Sequence, residues 1–204
     1  CRQLAKWQRK VRRPLSVSVN LSAKQLMHPA LINQIQSILR STGLQSRHLK
    51  LEVTESTVME HSERSLSVLK RLAAMGVSLS TDDFGTGYSS LSYLQEFPFD
   101  RLKIDRSFIH KMNCDDRSGA IVRTILMLAA NLGLDAVAEG IETENQLAAL
   151  RSLGCRLGQG YYFSRPVNAA EARKLLTMDV SRLIDPQNTE VAGSIPLFEV
   201  SNIQ

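Results

Sequence analysis

Short β-rich runs and amphipathic helical runs alternate along most of this sequence, and that alternation limits the folds open to it more than any other feature. The β-rich runs are LSVSVNLS (15–22), LKLEVT (49–54), VSLSTDD (77–83), RLKID (101–105), LDAVAEG (134–140) and CRLGQGYY (155–162). Between them, HPALINQIQSILRSTG, SERSLSVLKRLAAMG, SSLSYLQEF, SGAIVRTILMLAANLG and NQLAALRSLG place apolar residues at helical spacing. In four of these five, Gly43, Gly76, Gly133 or Gly154 follows the last turn, where a left-handed cap is expected. Strand, helix and strand with short connections means parallel strands joined by crossover helices, so the predicted class is α/β.

Two α/β architectures compete. A doubly wound sheet usually carries one glycine-rich phosphate loop after its first strand, whereas a (β/α)8 barrel sets functional side chains at the carboxyl ends of many strands. The strand ends here read Asn20, Glu52, Asp82 with Asp83, Lys103, Glu139 and Gln159. A polar or charged group at every strand end is the barrel pattern, because the ring of strand ends surrounds a single mouth.

Six strands do not close an eight-stranded barrel, and the chain opens on the helical segment CRQLAKWQRKVRR with no strand before it. The expectation is therefore a TIM-barrel-like domain over residues 1–178 that lacks its first strand, followed by a tail over 179–204. The tail loses periodicity and offers one short β-rich run, IPLFEV.

The net charge of +5 would suggest a nucleic-acid partner if it were spread over the domain. It is not: residues 1–13 carry six basic side chains and no acid, and removing six from +5 leaves −1 for the rest. Basic residues recurring along one helical segment read as a solvated face, and no nucleic-acid polymer is expected as partner. Cys1, Cys114 and Cys155 have no zinc-ligand spacing and fit a reducing cytoplasm. No apolar run approaches the roughly 18 residues that span a bilayer, although a longer parent protein could carry an anchor upstream.

The chemistry concentrates in DDFGTGYSSL (82–91). Successive strand residues point to opposite faces, so Asp82 and Asp83 can share one site only where the strand is turning. Two carboxylates there fit either a helix-capping turn or a hard divalent cation, and a bridging carboxylate could serve a two-metal centre. Glu52 and Glu55 in LEVTES and Asn20 in VNLSAKQL are oxygen donors for the same kind of site. Lys103 in LKID could enter such an acidic mouth as an ammonium and place a positive charge beside a phosphoryl group. Glu139 and Glu142 flank a glycine in AEGIET, and Gln159 lies between two glycines in GQGYYFSRP. The aromatic run Tyr161, Tyr162 and Phe163 reads as core in the first place and as a base-stacking surface in the second.

VNLSAKQL, LEVTES, DDFGTGYSSL, LKIDRSFI, AEGIET and GQGYYFSRPV, in this order and at these separations, resemble the successive motifs of the EAL family across about residues 15–175. The resemblance implies a modified (β/α)8 barrel that hydrolyses cyclic di-GMP to linear pGpG with Mg2+ or Mn2+. It implies that Asn20, Glu52 and Asp82 ligate one metal, that Asp82 and Asp83 serve a second, and that Glu139 completes the cluster. Lys103 corresponds to the residue that holds the attacking water, and Glu55 to the one that fixes the DFGTGYSS loop, which in the family also forms a dimer contact. Gln159 and Glu142 would touch the substrate or order the rim. An upstream GGDEF or sensory domain is the implied partner in a longer parent.

The Glu-Ala-Leu triplet that names the family occurs nowhere in the 204 residues. The expectation is accordingly a catalytic parent domain whose present fragment is poorly stable and weakly active. A cyclic di-GMP receptor or dimerisation module without turnover is the alternative. An enolase-like barrel using Lys103 as base is a third reading, disfavoured because nothing in the sequence supplies its capping domain.

Overall fold

The computed structural model describes residues 1–11, 14–60, 62–87 and 91–177. Residues 88–90 of the DFGTGYSS segment and the whole predicted tail, IPLFEV included, lie outside the described residues. In chain order the strands are β1 (Val17–Asn20), β2 (Leu49–Thr54), β3 (Ser78–Phe84), β4 (Arg101–Ile104), β5 (Asp135–Glu139) and β6 (Leu157–Gln159). The α-helices are α1 (Arg2–Gln8), α2 (Ala23–Leu26), α3 (Leu31–Thr42), α4 (Glu55–Glu60), α5 (Ser62–Ala74), α6 (Leu91–Glu96), α7 (Arg106–Lys111), α8 (Asp116–Asn131), α9 (Glu144–Ser152) and α10 (Ala169–Thr177).

The six strands form one sheet in the order β1-β2-β3-β4-β5-β6, every neighbouring pair parallel. A doubly wound sheet reverses its strand order at a switch point. Here each new strand joins on the same side of the last, so right-handed crossovers put all the helices on one face. The other face is the inside of a barrel wall. β2 shows both faces at once. Leu49, Leu51 and Val53 are buried in the apolar core that contains α1, α3, α5 and α10, while Lys50 and Glu52, which alternate with them, are buried although charged. A second apolar cluster joins β4 and β5 to α7, α8 and α9 through Leu102, Ile104, Ile109, Val122, Ala138 and Leu150.

The sequence specifies the helix ends as well as their faces. On α3, Leu31, Ile32, Ile35 and Leu39 are buried along one stripe. Gly43, Gly76, Gly133 and Gly154 all have positive φ, as expected of left-handed caps. Thr143 and Gln146 close a capping box at the start of α9. On α1 and the turn after it, Leu4 and Trp7 are buried and Arg2, Lys6, Arg9 and Lys10 are exposed, so the described part of the basic run is a solvated face.

The structure departs from expectation in three places, the first being α10, which corresponds to none of the five helical runs read from the sequence. α2, α4 and α7, of four to six residues, lie between a strand and the main helix or follow a strand directly, and are too short to show a period. CRLGQGYY is a strand only over Leu157–Gln159. Beyond it the chain turns, because the Tyr162 N–H donates to the Ile141 carbonyl at 2.9 Å and the Phe163 N–H to the Gly160 carbonyl at 3.1 Å. Among the described residues no helix is long and apolar enough to cross a membrane.

Candidate functional site at the strand ends

The adjacent aspartates reach one site through a bulge. Thr81 pairs with Leu102 and Phe84 with Ile104, so three steps on β3 oppose two on β4. The extra residue allows Asp83 a left-handed φ of 54°, which aspartate tolerates better than most side chains. Asp82 and Asp83 therefore face the same way, and oxygens of Asp82, Asp83 and Glu139 lie within 4.8 Å of one another. A turning strand was expected at this point; the strand in fact continues to Phe84, and the bulge does the reorienting.

Lys103 stands at the centre. Its Nζ is 2.6 Å from Glu52 Oε2, 2.7 Å from Glu139 Oε1 and 3.1 Å from Asp82 Oδ1, with its side chain only 3% exposed. Burial works against the ammonium, but Glu139, Glu52 and Asp82 together outweigh it and hold its proton affinity above that of an ordinary lysine. The acids respond in the opposite sense. Burial, joined by repulsion from Asp82 and Glu52, pushes the Glu139 carboxyl up to about 7 in spite of Lys103. Burial, then Asp82 and Asp105, raise that of Asp83.

Four carboxylates, Glu52, Asp82, Asp83 and Glu139, gather around the Lys103 ammonium, so acids outnumber the one cation seen in contact with them among the described residues. Glu52 Oε1 is buried and has no hydrogen-bond partner among the described residues. A buried carboxylate oxygen without a donor is costly unless a cation completes it. The donor set, all hard oxygen and rich in carboxylates, fits a hard divalent cation.

The remaining predicted residues surround this centre. Asn20 ends β1 as the register partner of Glu52, so the two share a face at one level. Glu55 opens α4 directly after β2, and its buried carboxylate accepts the Gly85 N–H at 3.3 Å. A Cβ on Gly87 would lie 3.2 Å from Glu55 Oε1, so this one side chain lies against both glycines of the loop after β3. Gln159 pairs in register with Glu139, and its carbonyl accepts the Ile141 N–H at 3.1 Å. Glu142 faces α7, with Oε1 3.6 Å from His110 Nε2, both half exposed.

Asp105 was not singled out in the sequence. It caps α7 by accepting the Ser107 N–H at 2.9 Å, and its carboxyl reaches that of Asp83. The signal was available in LKIDRS, an aspartate between a strand and a helix start, but capping alone explains such a residue. Of the aromatic run, Tyr162 and Phe163 pack against the second apolar cluster, and Tyr161 stays exposed.

A singly wound parallel sheet whose carboxyl ends gather acids around one lysine places the chain among barrel proteins with a hard-cation site at the mouth. The chain belongs to the EAL domain family, whose sequence model matches residues 1–166. It is 46% identical over 171 residues to the bifunctional diguanylate cyclase/cyclic di-GMP phosphodiesterase MucR of Pseudomonas aeruginosa, covering 84% of this chain and 25% of that protein. The structure titled PaMucR phosphodiesterase in complex with c-di-GMP superimposes with a TM-score of 0.82 at 45% identity, covering 84% of this chain and 70% of that one. The manganese and cyclic di-GMP complex of Klebsiella pneumoniae BlrP1 gives 0.73 at 33% identity, covering 80% and 42%. The chain spans between 20% and 25% of the length of the curated relatives it matches.

Proposed function

We propose that this chain carries the catalytic centre of a cyclic di-GMP phosphodiesterase that releases linear pGpG. The observation that supports it best is Lys103, buried and held by Glu52, Asp82 and Glu139 while Asp83 is turned toward the same point. Asn20, Glu52 and Asp82 would hold one Mg2+ or Mn2+, and Asp82, Asp83 and Glu139 a second. The cations supply Lewis-acid polarisation of the phosphoryl oxygen and a water made more acidic.

The residues of the chain do the rest. Lys103 stays protonated and so serves as a positive charge, not as a base: it offsets charge that develops on the phosphoryl group, and an N–H released when one of its three carboxylate partners turns to a bound cation would hold the attacking water. The water oxygen bonds to phosphorus and loses a proton to solvent, the bond from phosphorus to the ribose 3′ oxygen breaks, and the 3′ oxygen takes up a proton from solvent as it leaves. Glu139, in contact with the Lys103 ammonium at 2.7 Å, holds that charge beside the cluster. Glu55 keeps the glycine loop against β2 so that Asp82 and Asp83 stay aligned. Gln159 and Glu142, beside and beyond Glu139, order the rim that meets the nucleotide.

In this reading the protein works in the cytoplasm, pairs with a second copy through the DFGTGYSS region, and forms part of a longer protein with a GGDEF or sensory domain. The name of MucR and the small share of each relative that is matched support the last point. The test is to incubate the chain with cyclic di-GMP and Mn2+ or Mg2+ and to separate the products chromatographically. Slow formation of pGpG that Asp82→Asn abolishes is expected, weak because the sequence lacks the Glu-Ala-Leu triplet. Tight binding without turnover would assign a receptor instead, and neither binding nor turnover would refute the proposal.

A further inference from the structure

Gln159 lies in register beside Glu139, whose carboxylate touches Lys103, and Tyr161 follows two residues later. Two residues of chain span at most about 7 Å, so the Tyr161 backbone lies within about that distance of Gln159 at the end of β6. The segment that carries it is tightly fixed. The Ile141 N–H donates to the Gln159 carbonyl at 3.1 Å and the Ile141 carbonyl accepts the Tyr162 N–H at 2.9 Å, which ties the loop after β5 to the loop after β6. Gly160 has no room for a side chain, since a Cβ there would overlap the Ile141 backbone.

Tyr162 and Phe163 are packed edge to face, 5.5 Å between centroids, in the apolar cluster. Tyr161 is not drawn in with them and remains 53% exposed. The Arg165 guanidinium covers its ring at 5.0 Å from the centroid. An aromatic ring held on a rigid turn, braced on one side by a cation and open to solvent, is the arrangement on which a nucleobase stacks.

We propose that Tyr161 is the stacking surface for one guanine base of the substrate, with Arg165 as the positioning residue that holds the ring; this rests on the phosphodiesterase reading given above. The platform recognises a purine by its face, at a distance from the scissile phosphodiester, and so contributes to binding rather than to the chemical step.

The test compares Tyr161→Ala, Tyr161→Phe and Arg165→Ala with the unsubstituted chain. Each is assayed for KM and kcat with Mn2+, for the Kd of cyclic di-GMP by calorimetry with Ca2+, and for thermal unfolding. Loss of one stacked base corresponds to a KM and Kd raised about 5- to 100-fold. Tyr161→Ala should show that rise with a much smaller change in kcat and an unchanged melting temperature, Tyr161→Phe should restore affinity to within about twofold, and Arg165→Ala should fall between. Normal cyclic di-GMP handling by the unsubstituted chain with an unaltered KM and Kd in Tyr161→Ala would overturn the platform and leave the phosphodiesterase reading standing. A Phe variant as weak as the Ala variant would also overturn stacking. No binding or turnover by the unsubstituted chain would overturn both.

Discussion

Replacing Lys103 by Met tests the central electrostatic claim. The methionine keeps much of the buried stem and removes the ammonium, leaving Glu52, Asp82 and Glu139 without the charge now 2.6, 3.1 and 2.7 Å from their oxygens. Breaking a buried charge pair from one side costs about 3–5 kcal/mol, since the abandoned charge stays buried. With a urea slope on the order of 2 kcal/mol per molar, the metal-free midpoint at pH 8 should fall by roughly 2 M. The loss must depend on pH in a definite sense. Without Lys103 the carboxyls bind protons more tightly in the folded state, so the deficit is largest where they are ionised and shrinks as pH falls toward 5. A divalent cation should replace much of the missing charge, so Mn2+ should restore more stability to the variant than it adds to the unsubstituted chain. The assay is urea unfolding at pH 5 and pH 8, with EDTA and with Mn2+. A deficit under about 1 kcal/mol at pH 8, or one equal at both pH values, would refute the reasoning.

Four further outcomes follow from the same geometry. In the metal-free chain, the raised Glu139 carboxyl contributes stability that is present below its ordinary value of 4.5 and lost as pH rises through about 7, and Glu139→Gln should flatten that part of the stability profile. Asp83→Asn should raise metal-free stability at pH 8, because a charge disfavoured by burial and by Asp82 and Asp105 is removed, while titration calorimetry shows weaker Mn2+ binding. Gly160→Ala should lower stability by roughly 2–4 kcal/mol in denaturant melts, because its Cβ has no room beside the Ile141 backbone. Glu55→Ala should speed amide exchange at Gly85 about tenfold or more by removing a charged acceptor, and should depress turnover through the loosened loop.

The sequence by itself determined the class of fold and named most of the residues that gather at the strand ends, though not Asp105. The register of apolar residues on runs such as LINQIQSIL and LKLEVT, with a glycine after four of the five helical runs, is a local property of the chain, and it indicates parallel strands with crossover helices. One polar group at each strand end then named Asn20, Glu52, Asp82, Lys103, Glu139 and Gln159 as candidates, since parallel strands bring their carboxyl ends to one side. The short helices α2, α4 and α7 were not legible, because four to six residues are less than two turns and carry no period.

Tertiary structure alone decided how these groups meet. The bulge that turns Asp83 beside Asp82 comes from a mismatch between β3 and β4, and pairing across strands cannot be read from either strand alone. The burial of Lys103 and its three short contacts depend on β2, β3 and β5 closing around β4, with partners 51 residues before it in sequence and 36 after it. Proton affinities follow from that enclosure, which is why LKID could suggest a lysine in an acidic mouth but not one held by three carboxylates. The same holds for Tyr161: the sequence offers three aromatic residues in a row, and only the turn fixed by Ile141 separates the exposed ring from the two that fill the core.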